Sequence, residues 1–265
     1  MESLVRVTRS DGGAVARVTL DRPVVRNALN AALIDELRRT FAELCEDPQV
    51  RAIILAGAGR IFCGGADIGW MRESLELSAE ENIREAETLA DMFRTIDGCE
   101  HPVIVRVQGA ALAGGAGLCA VADVVIAAEN AMFGFTETKL GLIPATIAPF
   151  VIAKIGASHA RALFLTGERF GALRAQTLGL VHEVVAEGDL DARVARVVRE
   201  LLTAGPTATA AAKRMIRTLR ETDYDAAREI TARAIAERRT TDEAQEGLRA
   251  FLDRRKASWA PDAGE

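Results

Sequence analysis

The run VIVRVQGAALAGGAGLCA, Val103 to Ala120, decides the fold. Its first five residues are apolar and β-branched around a single Arg106, the composition of a buried strand. Small residues follow, with Gly109, Gly114, Gly115 and Gly117 among them, and Leu118 to Ala120 open a short apolar helix. The charge-free stretch from Val107 to Ala122 is shorter than the roughly 20 residues of a membrane span, so it reads as protein core. Upstream the plan occurs once already: Ala52 to Leu55 reads as a buried strand and runs into GAGRIFCGGADI, Gly57 to Ile68.

Helices separate these strand-and-turn units. Asn30 is placed to cap a helix reaching Glu46, with Leu33, Leu37, Phe41 and Leu44 on one face. A second amphipathic helix is predicted over Ser78 to Ile96, carrying Ile83, Leu89, Met92 and Phe93, with its glutamates as a solvated face. Val5–Arg9 and Val15–Leu20 form a hairpin around Asp11-Gly12-Gly13. Downstream, Val124–Ile126, Ala131–Phe133 and Val181–Val185 read as short strands, and Pro144 as the first residue of a helix toward Ile155. Gly205-Pro206 divides a core, residues 1–204, from a helical section, residues 205–265, rich in Ala, Arg and Glu.

With 265 residues, 49% of them apolar, the chain can bury one large α/β core without staples. A net charge of −5 offers no footprint for nucleic acid or anionic lipid, and neither partner is expected. The first residues lack the apolar core of a secretory signal. Cys45, Cys63, Cys99 and Cys119 are widely spaced without a CxxC, which predicts four free thiols in a cytoplasmic protein.

A glycine turn between strand and helix leaves backbone N–H groups unpaired, admits a ligand closely and adds the positive helix terminus. Two equivalent turns at one edge of a parallel sheet therefore form a cradle for an anion or oxyanion. Gly115 to Ala120 matches G-x-G-x-x-A, but a long loop parts it from the strand end at Val107, unlike a dinucleotide fingerprint. Phosphate-loop and GxSxG patterns are absent.

GGADI (Gly64–Ile68), HPVIVRVQGAALAGG (His101–Gly115), ADVVIAAENAMFGFTETKLGLIP (Ala122–Pro144) and LTGERF (Leu165–Phe170) resemble the crotonase superfamily of enoyl-CoA hydratases and isomerases. The likeness extends from RPVVRNAL at Arg22 to FLDRRK at Phe251, and is nearest in feel to hydratases of branched glutaconyl-type thioesters. It implies an α/β fold, a crotonase-like spiral of repeated ββα units with a helical C-terminal section that assembles trimers, often paired into hexamers. The substrate it implies is an acyl thioester of coenzyme A, with no separate cofactor and no metal. By motif position, the N–H groups of Ala66 and Gly114 would form the oxyanion hole.

Two glutamates are usual in such hydratases, and this chain carries Gly117 at the first position and Glu137 at the second. Glu137 stands near Phe133, Phe135, Leu140 and Leu142, so burial is expected to raise its pKa and let it exchange protons. The resemblance places Arg26 and Ala28 against the CoA moiety, Asp67 and Ile68 at its adenine pocket, and Phe251 and Lys256 in a C-terminal contact. Trp70 and Met71 are candidates for the acyl pocket. The three histidines and the cysteines near the turns read as structural. The expected activity is hydration of a 2-enoyl thioester. The alternatives are a double-bond isomerase using the same glutamate, or a non-catalytic acyl-CoA-binding protein.

Overall fold

The computed structural model describes residues 3–220 and 222–261. In chain order these form β1 (Val5–Ser10), β2 (Val15–Leu20), α1 (Ala31–Glu46), β3 (Ala52–Gly57), α2 (Ile68–Glu73), α3 (Ala79–Gly98) and β4 (Val103–Val107). There follow β5 (Ala110–Leu112), α4 (Gly114–Val121), β6 (Val124–Ala128), β7 (Met132–Gly134), α5 (Ala148–Thr166), β8 (Arg169–Gly171), α6 (Ala172–Thr177) and β9 (Glu183–Val185). Helices complete the chain: α7 (Leu190–Thr203), α8 (Pro206–Leu219), α9 (Tyr224–Arg239) and α10 (Asp242–Leu252).

The main sheet has the order β1-β2-β3-β4-β6-β9, antiparallel only between β1 and β2. Strand alternation divides its side chains between two cores. Ile53, Leu55, Val103 and Val105 join Phe41, Phe62 and Phe93 under α1 and α3, whereas Ile54, Ile104 and Ile126 meet Leu190, Val194 and Val198 of α7. Both faces are covered, which is why these strands read as continuous apolar runs. A small sheet, β5-β7-β8, stands at the end of the main one, where β3 and β4 deliver their glycine turns.

The Asn30 side chain accepts from Leu33 N–H as the sequence places it, and Ser78 and Glu81 add a capping box. Three expectations need correction. The helix assigned to Pro144 begins at Ala148, with Pro149 in its first turn, because residues 143–148 form consecutive tight turns before the chain commits to a helix. The strand expected from Val181 is confined to Glu183–Val185, since the Val181 N–H turns back to Ala175 O.

The third correction concerns the cysteines. Cys45 at the end of α1 and Cys99 at the end of α3 form a disulfide, with Cα atoms 5.3 Å apart, while Cys63 and Cys119 are free and buried. Partners 54 residues apart in sequence carry no motif; packing of α1 on α3 brings them together. Closing a loop of that length stabilises the fold by about 4 kcal/mol on chain entropy. Thiol titration in denaturant without reductant is therefore expected to find two thiols, and reduction to lower the unfolding midpoint; finding four would remove the crosslink from the account.

In the C-terminal section, Lys213 of α8 pairs with Asp123 at 2.6 Å, and Arg51 at the foot of β3 donates to Leu202 O, Ala204 O and Trp259 O. Helices α8, α9 and α10 and Trp259 line an apolar cleft of about 920 Å³. Among the described residues, no helix is long and apolar enough to cross a membrane.

Candidate active site

Hydrogen bonding fixes the direction of the first turn. Leu29 N–H donates to Gly65 O at 2.7 Å and Asp67 N–H donates to Leu29 O at 2.8 Å, a parallel bridge. In such a bridge the residue between the two bonds points its own amide to the opposite side. That residue is Ala66, whose N–H faces away from Leu29.

The second turn is built by the same means. Cys63 N–H donates to Ala110 O and Leu112 N–H to Cys63 O, which lays β5 along the first turn. Gly65 has φ +101°, and a Cβ there would meet Leu112 O at 3.2 Å and the Ala113 Cβ at 3.3 Å. The two turns thus touch at the residues just before Ala66 and Gly114. Ala113 holds φ 48° and ψ −118°, which L-residues rarely adopt, and its N–H is tied to Gly134 O at 2.8 Å. Gly114 then opens α4, where first-turn amides have no intrahelical acceptor. Among the described residues, neither the Ala66 nor the Gly114 N–H donates to a protein group.

The bond from Ala113 to Gly134 ties the second turn to the segment that carries Glu137, three residues further along. Phe133 and Phe135 beside it are fully buried, but Leu140 and Leu142 are exposed, contrary to expectation, because the chain turns outward at Gly141 with φ +75°. Glu137 Oε2 is buried and has no hydrogen-bond partner. Burial raises the carboxyl above its ordinary value. Among the described residues no salt bridge involves Glu137 or Lys139.

Gly117 lies three residues into α4. A Cβ there would stand 2.3 Å from Ile147 Cγ2, 3.1 Å from Ile147 Cβ and 3.0 Å from Phe93 Cζ. Ile147 and Phe93 are fully buried. The place of a first glutamate is thus filled by hydrocarbon from α3 and from the turn before α5.

Asp67 caps α2, its Oδ1 accepting from Gly69 and Trp70 N–H, while Oδ2 accepts from Arg22 at 3.0 Å. Burial pushes this carboxyl up, but the Gly69 amide, Arg22 and the Trp70 amide together hold it below the ordinary range. Ile68 is exposed, and half-buried Trp70 donates its indole N–H to Glu85, a residue expected only on the solvated face. Arg26 is exposed in the left-handed region at φ 58°, and Ala28 beside it is buried. Phe251 lies exposed on α10, and Lys256 beyond it donates to Pro261 O. Helix α10, which carries Phe251, packs on α8 and α9.

Burial pushes the Cys63 thiol up to about 12 and Cys119 higher still, which makes both poor nucleophiles. His182 Nδ1 accepts from Val125 N–H and serves the sheet. No cluster among the described residues could hold a metal ion.

The family model for enoyl-CoA hydratase/isomerase matches residues 10–262. The chain belongs to this family. Among enoyl-CoA hydratase/isomerase relatives, the short-chain-enoyl-CoA hydratase of Clostridium acetobutylicum is 32% identical over 92% of this chain and 93% of its own. An enoyl-CoA hydratase from Shewanella pealeana superposes with a TM-score of 0.93 at 34% identity, covering 97% of this chain and 96% of the other. AtuE of Pseudomonas aeruginosa gives 0.94 at 37% identity, covering 98% and 100%. The crotonase-type fold expected from the motifs is therefore present, in the setting of this hydratase/isomerase family.

Proposed function

We propose that the protein adds water across the double bond of a 2-enoyl-CoA thioester. The observation that supports it is a buried carboxylate oxygen without a hydrogen-bond partner, on a segment tied to the second of two touching turns whose Ala66 and Gly114 N–H groups make no bond within the protein. Water attacks C3 while the Glu137 carboxylate takes its proton. The electron pair of the double bond moves to the thioester oxygen, where the Ala66 and Gly114 N–H groups hold the enolate. The Glu137 carboxyl then returns the proton to C2, leaving a 3-hydroxyacyl thioester. Preorganised donors of this kind are worth about 3–4 kcal/mol of barrier each. Coenzyme A belongs to the substrate, and no further cofactor enters the scheme.

Arg26, Ala28, Asp67, Ile68, Phe251 and Lys256 belong to this proposal as the CoA-binding surface, and Trp70 to the acyl wall. So do a role in acyl-CoA breakdown and assembly as a homotrimer or hexamer, whereas the cytoplasmic setting inferred from free thiols loses that support with the Cys45–Cys99 disulfide. The apolar cleft of the C-terminal helices and exposed Phe251 support the assembly.

The apolar filling over Gly117 favours a second reading: with no second carboxylate, Glu137 could move a proton between two carbons and shift a double bond without adding water. Incubation with 2-enoyl and 3-enoyl thioesters separates the two. A product heavier by one water is expected; a shifted double bond at unchanged mass would establish the isomerase, and tight binding without turnover a binding protein. Because the base must be ionised, kcat/KM is also expected to rise with pH through a midpoint above 4.5, the ordinary glutamate value. A midpoint at or below that value would contradict the role given to Glu137.

A further inference from the structure

Arg22 lies outside the groups that touch substrate, yet its side chain is only 16% exposed and its ion partner Asp67 only 15%. The guanidinium donates to Asp67 Oδ2 at 3.0 Å and to Ala28 O at 2.5 Å, one fork spanning two strands of chain. Those strands are the ones bridged through Leu29, with the Ala66 amide held between Gly65 O and Asp67 N–H. The Arg22 backbone is fixed in turn: its N–H donates to Asn27 Oδ1, and fully buried Asn27 donates to Ala58 O and Ile61 O. Arg26 and Asn27 are both held at positive φ, so this segment keeps a strained path that the hydrogen bonds over-determine.

Resting on the reading of Ala66 as an enolate donor, we propose that Arg22 is a positioning residue: by clamping Asp67 to the Ala28 carbonyl, it aims the Ala66 N–H at the thioester oxygen. A rigid donor acts on the charge that develops in the transition state, whereas ground-state thioester binding draws on many other contacts. Loss of the clamp therefore lowers kcat more than it raises KM.

The test compares wild type with Arg22→Ala and Arg22→Lys, each checked by thermal melting. Two ligands are titrated: a saturated acyl-CoA, and a 3-ketoacyl-CoA whose ionised enolate is followed by its ultraviolet absorbance. Misplacement by about 1 Å can cost a hundredfold, so Arg22→Ala is expected to lose about 10- to 100-fold in kcat and in enolate affinity. KM and saturated acyl-CoA affinity should change by less than about threefold, and lysine should restore only part, because an ammonium lacks the two-pronged fork. Equal losses for both ligands would show a merely structural role and overturn the proposal, as would wild-type kcat in folded Arg22→Ala. Should that variant fail to fold, Arg22→Lys with full enolate affinity overturns it equally. Failure of the hydration reading itself shows separately, as wild type that binds the enolate but adds no water.

Discussion

Glu137→Gln is expected to lower turnover of a 2-enoyl thioester by about 10²–10⁴-fold, the usual contribution of a placed acid–base group, with CoA affinity nearly unchanged. The same variant is expected to be more stable than wild type at neutral pH. Burial raises the Glu137 carboxyl in the folded state above the ordinary value of 4.5 that it regains on unfolding. Between those two values the folded chain binds the extra proton, so wild-type stability falls as pH rises through that window. Below 4.5 the carboxyl is protonated in both states and the charge-linked part of the difference between variant and wild type vanishes. A glutamine keeps the shape without the buried charge, and the gain should grow with pH until the folded carboxyl is fully ionised. Melting curves from acid to neutral pH check the sign. A variant that is fully active, or one destabilised most at neutral pH, contradicts the assignment.

Gly117→Glu, which would supply the carboxylate usual in two-glutamate relatives, is expected to damage the protein. Its Cβ would sit 2.3 Å from Ile147 Cγ2 and 3.0 Å from Phe93 Cζ, well inside van der Waals contact. Overpacking costs about 1–3 kcal/mol, and an unpartnered buried carboxylate adds to that. At about 2–4 °C per kcal/mol for a chain of this size, the melting temperature should fall by roughly 5–10 °C. Ile147→Ala alone should also destabilise, by about 2–5 kcal/mol through the cavity it leaves. Combined with Gly117→Glu, however, it should relieve the overlap, making the pair more stable than Gly117→Glu alone. That non-additivity is the signature of direct contact. A single Gly117→Glu protein as stable as wild type, and faster in hydration, would show that hydrocarbon does not close this position.

Local pattern accounts for most of the architecture. The buried strand at Ala52–Leu55, the cap at Asn30 and the two glycine turns are all short-range features, and each appears where the residues place it. What escaped is non-local or conformational. The Cys45–Cys99 bond joins residues that only helix packing brings together. The strained backbone of Ala113 has no signal in an alanine. Gly117 could be read as a missing carboxylate, but not as a filled position, because Ile147 arrives from a different turn of the chain. Arg22 stood inside the RPVVRNAL motif, yet only the structure shows its two acceptors.

A crystal structure with a saturated acyl-CoA bound tests the central claim most directly. The account requires the thioester oxygen within hydrogen-bond distance, about 2.7–3.1 Å, of both the Ala66 and Gly114 nitrogens, with the Glu137 carboxyl beside C2 and C3 on one face. A carbonyl seated away from those amides, or a Glu137 side chain turned to solvent in the complex, would contradict it.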